Sequence, residues 1–361
     1  MQPGKTLVEL ATTIQKQRDT KVDYIAPTSN TAIVLTDPKV GQLLRGDIAR
    51  GGGEPQLEIA GQGTFPINRT AHVQIANRLN IPVKYYDRML AEAPGLLAYN
   101  ANTWLERAGE SRMVRTLDGN VRAYLSDRYQ RIDNAEIAEV ALPVLAAIPN
   151  VQIVSTEVTE HRMYIQAVSP RVEGEVKKGD VVQAGVVISN SEIGHGAVSV
   201  LPMIWRLICL NGAIASDGAL RAYHVGRRIE DTTELWADDT RKADDRAILL
   251  KVRDMVAAAV DQLQFDKRLA QMQELAGQRI TGHPVKVVEQ LAKRLNATEP
   301  EQGGILRALT QGGDLSAWGL INAVTAQAHE GDYDRAIEFG VAGGKLIDLP
   351  ANDWHRLLAA A

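Results

Sequence analysis

The chain has 361 residues, of which 45% are hydrophobic and 23% charged, with 40 Lys and Arg against 44 Asp and Glu and a net charge of −4. Such a composition suits a folded chain of two or three units and excludes a wholly disordered one. With no global basic excess, any nucleic-acid site must be a local patch.

Residues 1–69 show little periodicity and read as an irregular arm. Within it a short helix is expected from Leu7 to Gln17. Ala32 to Leu35 is an apolar run, and Gly51-Gly52-Gly53 precedes another at Leu57 to Ile59. Thr70 is a suitable cap for a helix with Val73, Ile75, Ala76 and Leu79 on its apolar face. Pro82 opens a second helix over Val83 to Ala93. A plain helical hairpin is favoured over a helix-turn-helix, because Tyr85, Tyr86, Met89 and Leu90 read as packing residues and only Lys84 and Arg88 could face phosphate.

Met113 to Leu125 reads as a β-hairpin around Asp118-Gly119, since glycine accepts the positive φ of a tight turn. Asp133 with Glu136 forms a capping box for a helix through Ile137, Val140, Leu142 and Leu145, which Pro143 should kink or shorten. Strands are expected at Val151 to Val158, Met163 to Val168, Val181 to Ser189 with a bulge at Gly185, and Ala197 to Leu201. Pro202 should then start a helix through Cys209, stopped by Asn211-Gly212. From Glu230 the pattern turns helical: Leu249, Val252, Val256, Val260 and Leu263 recur at helical spacing, and further helices are expected after Pro284, at Trp318 to Ala328 and at Tyr333 to Phe339. The fold class is α+β: an antiparallel β-meander with packed helices over 70–229, then an all-helical region over 230–361.

A single cysteine, Cys209, excludes an intrachain disulfide, and its apolar neighbours Ile208 and Leu210 mark it as core rather than as a nucleophile. A reducing, cytoplasmic home is expected. No apolar run reaches the roughly 18 residues of a membrane span. Met1 to Leu10 carries Lys5 and Glu9 and lacks a signal-peptide core. None of the seven histidines has a ligand at a metal-binding spacing, so neither metal nor cofactor is expected. The run Asn190-Ser191-Glu192-Ile193-Gly194-His195-Gly196 places Ser, Glu and His close together, but adjacency in a turn does not make them converge. No catalytic constellation emerges.

Two arginine clusters remain. Arg107, Arg112, Arg115, Arg122, Arg128 and Arg131 fall within 25 residues of sequence, interleaved with Tyr124 and Tyr129. On a strand Arg122 and Tyr124 should share one face. Arg206, Arg221, Arg227 and Arg228 surround Tyr223. Guanidinium groups bind phosphate and rings stack on bases, so both clusters are candidates for a single-strand groove. Salt-bridged arginine that binds no ligand is an equally good reading of them.

Several motifs carry a family resemblance: Leu97-Ala98-Tyr99-Asn100, Val114-Arg115-Thr116-Leu117, Val121 to Tyr129, Asn190 to Gly194, Arg206 to Gly212 and Gly319 to Thr325. In this order they resemble the phage- and plasmid-borne proteins of an uncharacterised family, number nine hundred and thirty-two among domains of unknown function. The likeness runs from about Thr70 to the C-terminus. That family has no assigned catalytic residues to carry over, and its setting on mobile elements implies DNA metabolism or conflict with host defences. A looser, topological likeness is to single-strand annealing proteins of the eukaryotic annealing-ring type, which are commonly basic where this chain is not.

Two functions follow as expectations. The first is a phage- or plasmid-encoded protein that binds and anneals single-stranded DNA in recombination, as a homo-oligomer, with the two arginine clusters lining the groove. The second is a non-enzymatic module that engages a host or phage protein in anti-defence or plasmid establishment. An enzyme ranks last, having no supporting cluster.

Overall fold

A computed structural model of the chain describes residues 4–36, 53–208, 210–215, 220–222 and 238–360. Helix α1 (Leu7–Thr20) opens on a capping box: the Glu9 N–H donates to Thr6 Oγ1, and the Thr6 N–H donates to the Glu9 carboxylate at 2.7 Å. Strands β1 (Val22–Pro27), β2 (Thr31–Leu35), β3 (Pro55–Ile59) and β4 (Gly63–Pro66) follow. β2, β3 and β4 form one antiparallel sheet, whereas β1 pairs with a strand about ninety residues later in the chain. The described part of 1–69 is therefore no irregular arm. Its order comes from non-local pairing, which leaves no local periodicity to read.

Helices α2 (Arg69–Arg78), α3 (Val83–Glu92) and α4 (Pro94–Ala108) pack on the β2–β3–β4 sheet through Ile33, Leu57, Ile75, Tyr86, Leu97 and Leu105. The cap of α2 is Asn68, whose Oδ1 accepts from the Ala71 N–H at 2.8 Å, and Thr70 is buried in the first turn. The expected hairpin is β5 (Ser111–Leu117) and β6 (Asn120–Ser126), with Asp118 and Gly119 at φ 48° and 77°. Together with β1 it makes a second three-stranded sheet, β1–β5–β6. Helix α5 (Asn134–Ala147) begins at the Asp133 cap and runs on through Pro143, held by the burial of Ile137, Ala141 and Leu145.

The main sheet has the order β7–β8–β9–β10–β11, formed by β7 (Gln152–Val158), β8 (Met163–Lys177), β9 (Asp180–Asn190), β10 (Val198–Arg206) and β11 (Asn211–Ile214), with β12 (Leu220–Ala222) also on β10. Pro202 starts no helix, because β10 continues through it. Its outer neighbour is β12 over Val198–Val200 and β11 over Met203–Arg206, so Pro202 sits at the changeover, where no N–H is needed. Asn211 and Gly212 open β11 rather than stop a helix, and Cys209 lies outside the described residues. Gly185 is not a bulge: it pairs regularly with Val168 and Met203, and a Cβ there would come within 2.6 Å of the Ala167 carbonyl oxygen. The irregularities lie in β8 instead, between Ser169 and Glu173 and between Glu175 and Lys177.

Seven helices follow among the described residues: α6 (Asp238–Ala258), α7 (Gln262–Gly277), α8 (Pro284–Arg294), α9 (Glu299–Gly312), α10 (Ala317–Ala326), α11 (Tyr333–Ile347) and α12 (Ala351–Leu358). The expected stripe from Leu249 to Leu263 breaks where Asp261 caps α7, and Leu263 faces solvent. The helical region does not stand apart from the sheet. Val252 and Val256 of α6 join Leu10, Ile137, Ile165, Ile188 and Val200 in one core, while Val182, Ala184 and Ile204 pack with α7 to α12 in another. A boundary at 229/230 therefore crosses shared cores. No helix among the described residues is long and apolar enough to cross a membrane.

Candidate functional site

The hairpin arginines turn inward, because the β5–β6 hairpin is covered on both faces. Val114, Val121 and Tyr124 pack under the helices, and Met113, Ala123, Leu125 and Tyr129 pack against Ile193 from the β9–β10 loop. Arg115 is 0% exposed. Its Nε and Nη2 donate to the two carboxylate oxygens of Asp23 at 2.8 and 3.1 Å. Nη2 also donates to Asp133 Oδ1 at 2.8 Å, and Nη1 to the Glu192 carbonyl at 2.8 Å. Lys21 pairs with the other oxygen of Asp133. Burial works against the charged guanidinium, but Asp23, Asp133 and Glu192 outweigh it and raise its pKa. Burial likewise pushes the Asp133 carboxyl up, and Arg115 and Lys21 bring it net down. Both groups stay ionised, as a paired and hydrogen-bonded buried cluster requires.

Arg122 and Tyr124 do not share a face. Arg115 pairs with Ala123 and Thr116 with Val121, so Arg122 is the extra residue of a β-bulge. The bulge aims its guanidinium at Glu192, which accepts from Nη2 at 2.5 Å and, through its other oxygen, from the Asn134 N–H at 2.6 Å. Tyr124 is buried on the helix side, and Tyr129 donates its hydroxyl to the Ser191 carbonyl at 2.9 Å. Arg112 is half-buried and pairs with Glu110. Arg206 grips Asp180 through Nε and Nη2 at 2.6 and 3.0 Å, and Asp180 also accepts from Trp318 Nε1 at 2.9 Å. Of that first cluster Arg107, on the helix before the hairpin, is exposed, as are Arg128 and Arg131, and Arg131 lies 3.9 Å from Asp23. Arg221 lies on β12, and Tyr223, Arg227 and Arg228 lie outside the described residues. Among the described residues, the arginines of the two clusters are therefore not gathered into one open basic groove.

Nor do Ser191, Glu192 and His195 make a catalytic set. The Ser191 hydroxyl donates to the His161 carbonyl at 2.9 Å and accepts from the His195 N–H at 3.0 Å, while Glu192 is held by Arg122. These are the bonds of a structured hairpin loop.

A different surface combines aromatic and basic side chains. On α4, Tyr99 is 61% and Trp104 46% exposed. At 100° per residue, Tyr99, Thr103, Arg107, Asn100 and Trp104 fall in one arc of the helix. The arc is braced: Trp104 Nε1 donates to Asn100 Oδ1 at 2.9 Å, and the Arg107 guanidinium carbon lies 5.9 Å from the Trp104 ring centroid. Tyr85 on the adjoining α3 is also exposed, against the packing role expected of it. Sequence reasoning passed over α4. The signals were Pro94 at its first position and the Tyr99–Thr103–Arg107 spacing.

The family described as Domain of unknown function (DUF932) matches residues 122–342, more than half of the chain. The chain belongs to this family. Neither a curated protein nor a solved structure matches it. The DUF932 span begins at the bulge residue Arg122 and takes in Asp133, the main sheet and Glu192. Asp23, Arg115 and the α4 arc lie before it. The ion network thus joins the DUF932 span to the region that precedes it.

Proposed function

We propose that the chain is a single-stranded DNA binding protein that makes and breaks no covalent bond, and that it holds the strand on the solvent face of α4. The observation that carries this reading is the exposed arc of Tyr99, Trp104 and Arg107. Exposed rings offer bases a stacking surface whatever their sequence, and an arginine beside them serves both ring and phosphate. Strand annealing in recombination is the process such binding would serve, since annealing requires positioning rather than bond chemistry. Short single strands should quench the emission of Trp104, because Trp205, Trp318 and Trp354 are buried. A Trp236→Phe background removes the other tryptophan. Unchanged emission with saturating oligonucleotide would overturn the proposal.

A protein partner on the same face is the second reading. It is favoured by charge: Lys84, Arg88 and Arg107 are offset on α3, α4 and the following turn by Glu92, Glu106 and Glu110. Exposed aromatics with balanced charge are also what a protein interface presents. Salt separates the two, since strand binding weakens steeply with ionic strength.

A further inference from the structure

The β7–β8 turn and the β9–β10 loop meet ring to ring. His161 of the turn and His195 of the loop stack at 4.6 Å between ring centroids and 3° between planes. His195 stands between Gly194 at φ 79° and Gly196 at φ 125°, a backbone region open to glycine and resisted by other residues. Gly194, His195 and Gly196 thus form a short flap with a permissive residue at each end.

The flap is held down by the turn beneath it. The His195 N–H donates to Ser191 Oγ at 3.0 Å, and that hydroxyl donates to the His161 carbonyl at 2.9 Å. Arg162 Nε donates to the His195 carbonyl at 2.7 Å. A Cβ at Gly196 would overlap the Arg162 guanidinium, so the flap lies directly on that group. One titratable ring is therefore pressed on another beside a fixed positive charge.

The surrounding charges decide what the pair tolerates. Glu160 and Arg162 flank His161 in the turn. Asp334 approaches from α11, where it accepts from Tyr164 at 2.7 Å and from Thr159 Oγ1 at 3.0 Å. Arg122 of the hairpin and Glu192 of the loop lie near His161 but bond each other. The contact from α2 is the uncharged Gln74, which donates to the Ile193 carbonyl at 2.7 Å. Glu160 and Asp334 can balance one proton on the stack. A second would set two imidazolium rings face to face with a guanidinium beside them, and like charges at that separation repel. Partial burial first, then the His161 and Arg162 charges, lowers the His195 pKa from its ordinary 6.5, with Asp334 and Glu160 acting the other way.

We infer that Gly194–His195–Gly196 is an acid-sensitive flap, closed on His161 and Arg162 while the stacked rings carry at most one proton, and lifted when both are charged, which uncovers the Arg162 guanidinium. In the lifted flap the His195 ring titrates near 6.5. The closed form is fully favoured above that pH, and the preference is lost as pH falls through 6.5 towards the lowered value. The flap shares no residue with the α4 arc and does not depend on the function proposed there.

The His195 amide reports the flap directly, because its hydrogen bond to Ser191 breaks when the flap lifts. Its hydrogen-exchange protection, corrected for intrinsic rate, should fall between pH 7.5 and pH 5. The fall should be about tenfold for each pH unit by which the His195 ring titrates below 6.5, a midpoint read separately from its ring proton resonances. His195→Phe keeps a ring on His161 that cannot charge, and its residue 195 amide should be equally protected at both pH values. His161→Phe should raise the His195 midpoint and reduce the fall. Both variants should melt like the parent at pH 7.5, and His195→Phe carries the test alone if the buried-side variant fails to fold. Protection that does not change between pH 7.5 and pH 5, or that falls as far in His195→Phe, would overturn the flap. A His195 midpoint at or above 6.5, or one unmoved in folded His161→Phe, would overturn the role of the stack.

Discussion

The β5–β6 hairpin and helix α4 are neighbours in sequence with opposite fates. The hairpin is rich in arginine and tyrosine, yet Arg115, Arg122, Tyr124 and Tyr129 are all buried. The helix has one arginine and two large aromatics on its outer arc, and these meet solvent. What separates them is the supply of internal partners. Asp23, Asp133 and Glu192 lie within reach of the hairpin guanidinium groups, while Arg107 on α4 has a ring beside it. A cluster of arginines in sequence thus reports charge density, and its use depends on carboxylates that the fold brings from elsewhere.

The sharpest way to break this comparison is Arg115→Leu. Removing the central member of a buried ion cluster leaves Asp133 with Lys21 alone and Asp23 with only the distant Arg131, and a loss of about 3–5 kcal/mol in chemical denaturation is expected. If the variant kept its stability but lost affinity for a single strand, Arg115 would be a phosphate contact and the hairpin a groove after all.

The buried side of the comparison should also titrate. His72 Nδ1 lies 2.8 Å from the Tyr86 hydroxyl. Burial, helped by Arg69, lowers the His72 pKa from 6.5 to about 4, and burial pushes the Tyr86 phenol up. The fold therefore holds a neutral ring, whose Nδ1 shares a hydrogen bond with the hydroxyl. An unfolded histidine gains its proton below about pH 6.5, so this contribution is complete above that pH and is lost as pH falls towards 4. The loss is on the order of 3 kcal/mol. Denaturation midpoints measured between pH 7 and pH 4 check it. A His72→Phe variant whose stability fell as steeply over that window would place the titrating group elsewhere.

The exposed side predicts the reverse pattern. Trp104→Ala should change stability by about 1 kcal/mol or less, since the ring is half in solvent and makes one hydrogen bond on its own helix. It should weaken single-strand binding by about 1–3 kcal/mol, the range for one stacked base. Loss of affinity for a protein ligand, with no strand affinity to lose, would turn the arc into a protein interface.

How far the sequence shows this division can be judged residue by residue. Asp118-Gly119 and the Asp133–Glu136 box announce their elements, because a left-handed turn and a helix cap are local demands met by local residues. The strand through Pro202 is hidden, since proline is tolerated there only because β10 exchanges one neighbour for another. The inward turn of Arg122 depends on a bulge that no two-residue alternation reveals. The burial of Arg115 depends on Asp23, 92 positions earlier, in a segment whose strand has no nearby partner. Local chemistry is legible, and long-range pairing is what moves the candidate site.

Arg128 and Arg131 give the smallest expected effect and the finest test. They are the hairpin arginines that reach solvent, and among the described residues the ion-pair partner of Arg131 is a distant one, Asp23 at 3.9 Å. An exposed pair of that length is worth little, so replacing both by glutamine should shift stability by no more than about 0.5 kcal/mol. If the strand lies on α4, the slope of log affinity against log salt should also stay the same. If these two arginines touch phosphate, the slope should fall by about 0.7 for each on a single strand. A fall near 1.4 with unchanged stability would extend the strand path from α4 onto the exposed end of the hairpin, and the division between the two regions would then concern four buried side chains rather than the hairpin as a whole.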